Sequence, residues 1–186
     1  MGAPERTGER QPSLRTKIGS AIISKKGWSM AKLSALYDED FVRWTEEQAA
    51  ALRRAKGSNL PLDWENLAEE IESLGKSDRR ELRSQITRIL RHLLKLEASA
   101  AAEPRAGWRA TIDEARTEIE GVIEDSPSLQ RETSALIKKQ IGAAARLAAS
   151  DLGGHGKPVD AIQARLARGG YTEDQVLGDW FPDEPG

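Results

Sequence analysis

From about residue 36 onward, apolar side chains recur every three or four positions, the spacing that puts one oily stripe on an α-helix. Phe41, Trp44, Gln48, Leu52 and Ala55 keep that step behind Asp38, a suitable N-cap, and Gly57 ends the run. "GSNLPLD" (57–63) reads as a connector, and Asp63 caps a second helix with Leu67, Ile71 and Leu74 facing inward. Gly75 then breaks or kinks the chain, and Ser77 restarts a third helix carrying Leu82, Ile86, Ile89, Leu93 and Leu96. One long helix bent at Gly75 is the alternative, because glycine in a helix costs only about 1 kcal/mol relative to alanine.

"ASAAAEPRAG" (98–107), punctuated by Pro104, is the next joint. Beyond it Trp108, Ile112, Ala115, Ile119 and Val122 mark a fourth helix over 108–124. Ser126–Pro127 suits the start of a fifth, with Leu129, Thr133, Leu136, Gln140, Ala144 and Leu147 as its stripe and Gly153–Gly154 as its stop. A short helix over 159–168 follows, and then a capping box at Thr172 and Gln175. No alternating segment or Asn-Gly or Asp-Gly hairpin turn competes, and no repeat of 30–45 residues suggests a solenoid. The expected fold is all-α: an antiparallel bundle of about five main helices plus a short C-terminal helical segment. Ile71, Ile86, Ile112 and Leu136 are expected to share its interior.

Residues 1–35 differ in character. The first thirty hold six basic residues against two acidic ones, a charge of +4, which leaves −6 for the rest of a chain whose total is −2. They read as a flexible, disordered basic tail ahead of one domain over 36–182, with Met30 as an alternative start that leaves residues 1–29 upstream. The apolar cluster Ile18–Ile23 is too short for a signal sequence, and no run approaches the roughly 20 residues that span a bilayer. Zero cysteines exclude disulfides, thiolate metal sites and cysteine nucleophiles, and they fit a cytoplasmic protein.

Five blocks occur in order: "LYDEDFVRWTEEQAAAL", "DWENLAEEIESLGKSDRRELRS", "RHLLKLE", "WRATIDEARTEIEGVIEDSPSL" and "YTEDQVLGDWFP". Over Leu36 to Pro182 the chain thus resembles the bacterial family known as domain of unknown function 29. The resemblance implies a compact helical bundle and carries over no catalytic residue. The N-terminal segment and "GGHGKPVDAIQARLARGG" depart from it.

Three kinds of chemistry are open to such a bundle. Glu69, Glu70 and His92 are candidates for a metal-dependent hydrolase; the plainer reading places His92 beside the apolar stripe with a ring nitrogen bonded to a carboxylate, Glu70 or Glu69 across a tight joint, or to a backbone group. Ferritin-like centres need a Glu-x-x-His step, however, and Ile89 stands three residues before His92, so no metal is expected. Arg80, Arg88, Arg91 and Lys95, with Ser84 in register and Arg79 and Arg83 alongside, form a basic edge. It could grip phosphates, as in a nucleic-acid regulator of the antitoxin kind, or pair with neighbouring carboxylates. Trp180 and Phe181 are a candidate partner anchor if exposed, or C-terminal packing if they fold back. No nucleophile elbow, phosphate loop or dinucleotide fingerprint is present, so no cofactor is expected. The balance favours a non-catalytic interaction module with another protein as partner, rather than nucleic acid or membrane, and leans away from an enzyme.

Overall fold

The computed structural model describes residues 30–183, and among them every regular element is helical. In order these are α1 (Met30–Glu39), α2 (Phe41–Ala55), α3 (Trp64–Ala98), α4 (Ala102–Asp125), a 3-10 stretch (Pro127–Glu132), α5 (Thr133–Asp151), α6 (Lys157–Ala167) and α7 (Glu173–Leu177). None is long and apolar enough to cross a membrane.

The central element is α3, one uninterrupted helix of 35 residues, about 52 Å long. It does not break at Gly75. That glycine is buried, and a Cβ built on it would lie 2.3 Å from Thr45 Oγ1 of α2. Glycine is there because two helices cross closely, and its modest helical penalty is offset by that contact. Helix α2 runs antiparallel to α3: Arg53 meets Glu65 and Glu72 at one end, and Glu46 meets Arg79 at the other. Helix α4 folds back antiparallel, with Trp108 beside Lys95 and Ser126 beside Asp78. Helix α5 then runs parallel to α3, since Glu132 pairs with Arg79 and Asp151 with Arg91.

The core surrounds the C-terminal half of α3. Leu82, Ile86, Ile89, Leu90, Leu93, Leu94 and Leu96 are fully buried, more faces than an amphipathic stripe requires, because α4, α5 and α6 pack around the helix. Ile112, Ala115 and Ile119 of α4, Leu129, Ile137, Ala144 and Ala148 around α5, and Ile162 and Val176 complete it. Each leucine or isoleucine so buried contributes roughly 1.5–3 kcal/mol. Ile86 and Ile112 share this interior and Leu136 packs against it. Ile71 lies outside it, half-buried, and Leu67 and Leu74 are exposed.

Several boundaries differ from those the sequence suggests. Helix α1 starts at Met30, so residues 30–35 belong to the folded part; residues 1–29 lie outside the described residues. The cap of α2 is Asp40 rather than Asp38. Its carboxylate accepts from Arg43 N–H at 3.1 Å and also from Ser128 N–H and Oγ at 3.0 and 2.9 Å, so it ties α2 to a distant segment as well as capping it. Pro104 stands inside the first turn of α4, where a missing N–H removes no helical bond. Ser126 is no helix cap in the expected sense: α5 begins only at Thr133. Its buried hydroxyl instead accepts from Val42 N–H at 3.1 Å and faces Asp78 at 3.5 Å, tying the end of α4 to α2 and α3. Asp63, Thr172 and Gln175 cap where expected.

Candidate functional site: a basic groove on α3

The outward face of α3 carries cations at helical spacing. Arg80, Arg83, Ser84, Thr87, Arg88 and Arg91 line a groove of about 380 Å³, closed on one side by Leu147 of α5. A second hollow of about 420 Å³ continues it through Ser73, Lys76 and Arg79, sharing Arg80 and Arg83. From Ser73 to Arg91 the strip is about 27 Å long.

Its ends are neutralised and its middle is not. Lys76 pairs with Glu72 at 3.3 Å, and Arg79 with Glu46 at 2.7 Å and Glu132 at 3.0 Å. Arg91 grips Asp151 with two bonds of 2.8 and 2.5 Å. The hydrogen bond from Arg91, with Lys95 behind it, holds the Asp151 carboxyl below the usual range. Between these ends Arg80, Arg83 and Arg88 have no ion pair among the described residues. Arg80 Nε donates only to the Lys76 carbonyl at 3.2 Å. Thr87 Oγ1 donates to the Arg83 carbonyl at 2.8 Å, and a hydroxyl oxygen can still accept another bond.

The expected basic edge is therefore split. Arg80 and Arg88 lie in the groove, and Arg91 borders it in a pair. Lys95 leaves the surface: it is buried, 3.1 Å from Asp151 and 4.5 Å from the centre of the Trp108 ring. Arg83 and Leu147 carry more weight than the sequence suggests. Leu147 occupies a helical position next to the core but stays exposed, because α5 meets the core through Ala144, Ala145 and Ala148.

The other candidates do not assemble. Glu69 and Glu70 share α3 with His92, some 22 residues along one rod, so about 33 Å separates them and no hydrolytic centre can include all three. Among the described residues no group of three His, Asp or Glu side chains could hold a metal ion. His92 is half-buried, its Nδ1 without a partner, and burial, aided by Lys95 and Arg91, pushes its pKa down to about 4. His155 is exposed.

Trp180 and Phe181 fold back. Both are half-buried against the core, and Arg116 donates to the carbonyls of Trp180, Val176 and Gln175 at 2.7, 3.1 and 3.2 Å. The guanidinium groups of Arg109 and Arg116 each lie 4.8 Å from the Phe181 ring centre. These aromatic rings hold the C-terminus to the bundle instead of offering a free anchor. Nearby, Glu97 accepts from Arg165 and from Tyr171 Oη, fixing α6 to the end of α3.

No curated protein and no solved structure matches this chain. A family model does, over residues 36–166, which spans α2 to nearly the end of α6 and includes the whole groove. The chain belongs to the family described as Domain of unknown function DUF29.

Proposed function

We propose that this domain is a non-catalytic macromolecular interaction module whose partner is a protein with an acidic segment that lies in the α3 groove. The observation behind this reading is the set of three arginines, Arg80, Arg83 and Arg88, with no carboxylate partner, beside two hydroxyls and an exposed leucine. Arginine stays charged at any physiological pH, so the groove's titratable groups can hold anions but cannot shuttle protons. Forked guanidinium groups match carboxylates bidentately, and Leu147 gives an apolar contact that a phosphate backbone does not use. No aromatic ring lines the groove to stack a base.

The test is anisotropy titration of the full chain with three probes: a glutamate-rich peptide containing one leucine, a DNA duplex and a DNA single strand. Preferential peptide binding, abolished by Arg83→Glu with Arg88→Glu at unchanged melting temperature, is the expected result. Tighter binding to either nucleic acid, weakening steeply with salt, would replace this reading with that of a nucleic-acid-associated regulator. Binding that survives the double reversal would place the contact elsewhere.

A further inference from the structure

The N-terminal part of α3 projects beyond the bundle. Helix α4 ends where Ser126 meets Asp78, and α5 begins with Glu132 on Arg79. Farther towards Trp64, the bonds and ion pairs that α3 makes with other helices are with α2, through Arg53 to Glu65 and Glu72. On this arm Leu67, Ile71 and Leu74 follow at steps of four and three, yet Leu67 and Leu74 are 40% and 46% exposed. Leu60 and Leu62, in the loop before α3, are 61% and 49% exposed. Apolar residues at that spacing form a ridge suited to a second amphipathic element.

One edge of the ridge is acidic. Asp63, Glu70 and Glu81 are exposed along it, and Asp78, near Asp125, closes it at the bundle end. A second copy paired antiparallel on the ridge would set this edge against itself, like charge against like. The ridge also offers only on the order of a few hundred Å² of apolar surface, against about 800 Å² per partner in a standard stable interface. Both points favour a basic occupant that is tethered, for which an effective concentration in the millimolar range compensates for a small contact.

Such a segment lies in the same chain. Residues 14–26 hold Leu14, Ile18, Ala21 and Ile22 at steps of four, three and one, with Arg15, Lys17, Lys25 and Lys26 among them. The tether is long enough. The α1–α2 corner abuts Gly75, next to Leu74, through Val42 and Thr45. From there α1 rises about 15 Å to Met30, and the eight residues back to Ile22 span at most about 28 Å. We propose that residues 14–26 dock on the Leu67–Ile71–Leu74 ridge of the α2–α3 arm, their cations along its acidic edge.

The chain has no cysteine, so Leu67→Cys supplies a single reporter thiol. Its labelling rate is compared in the full chain with and without Arg15→Glu, Lys17→Glu, Lys25→Glu and Lys26→Glu, with Ser150→Cys on α5 as the control. Docking predicts labelling at Leu67→Cys at least about fivefold slower with the native cations, at any protein concentration, and no difference at Ser150→Cys. Equal rates at Leu67→Cys overturn the proposal. Protection that grows with protein concentration also overturns it, in favour of a second copy. An independent check is a disulfide between Ile18→Cys and Leu74→Cys, expected to form within one chain; its formation only between chains would count against the proposal.

Discussion

His92 is held in the fold as a neutral ring. Burial strips water from the ring, Lys95, Arg91 and Arg88 add positive charge against the single opposing charge of Asp151, and its pKa falls from an ordinary 6.5 to about 4. The unfolded chain therefore takes up a proton near pH 6.5 that the folded chain refuses until about pH 4. Its contribution to stability is complete above pH 6.5 and is lost progressively as the pH falls from there to about 4. Urea melts of the native chain and of His92→Gln between pH 7.5 and 4.5 should differ in slope, with the variant flatter. Parallel slopes would mean that the ring is wetter than its burial suggests. Glu173 acts in a lower window. Donors from Ser134, Thr133 and Gln130 lower its pKa, so its contribution stands above its ordinary value of 4.5 and is lost as the pH falls through the folded value. Together the two groups predict that stability falls with acid in two overlapping windows, the histidine's beginning first and the carboxylate's following.

At the scale of the element, the crossing of α2 and α3 depends on one missing methyl group. Gly75→Ala gains about 1 kcal/mol in helical propensity, yet its Cβ would sit 2.3 Å from Thr45 Oγ1. Overpacking of this kind costs about 1–3 kcal/mol, so the variant should be less stable despite its better helix former. Thr45→Ala removes the obstructing hydroxyl, and in a double-mutant cycle the pair should recover at least about 1 kcal/mol. Additive losses would mean that the helices can slide apart. The same crossing shows which parts of the fold were legible in the sequence. The stripe from Leu82 to Leu96, that of Ile112 to Ile119, and the caps Asp63 and Thr172 follow from local rules, and they stand as read. Gly75 could not be read this way, because a glycine that stops a helix and one that admits a neighbour look alike in one dimension. Leu67 and Leu74 have the spacing of core residues, but what buries a stripe is a second element, and α4 ends before reaching them. The basic groove was half legible for the same reason. Spacing put Arg80 and Arg88 on one face, but the partners that withdraw Arg91 and Lys95, Asp151 and Trp108, come from other helices.

The molecule as a whole is closed by a segment that lies past the end of the family match at residue 166. Tyr171 and Val176 are core residues, and Trp180 and Phe181 pack against them, so the domain is incomplete without its last turns. Arg116 of α4, with Arg109 also beside the Phe181 ring, fastens that segment. Arg116 is only 6% exposed, its guanidinium donates to three carbonyls between Gln175 and Trp180, and it lies against the Phe181 ring. Arg116→Met keeps the aliphatic packing and removes every donor, leaving the buried Val176 carbonyl unpaired at about 1–3 kcal/mol unless water reaches it, and the half-buried carbonyls of Gln175 and Trp180 unpaired beside it. Water entry is the cheaper course, so the segment should open locally rather than unfold the bundle. Hydrogen exchange should then quicken over 171–183 while 82–96 stays protected, with a fall in melting temperature of about 5–10 °C. Arg116→Lys should resemble Arg116→Met, because one ammonium cannot reproduce a planar fork reaching three acceptors. If exchange rises equally along α3, the C-terminal segment is one cooperative unit with the core. In that case the closure Arg116 makes would be a condition of folding rather than a clasp added to a finished bundle.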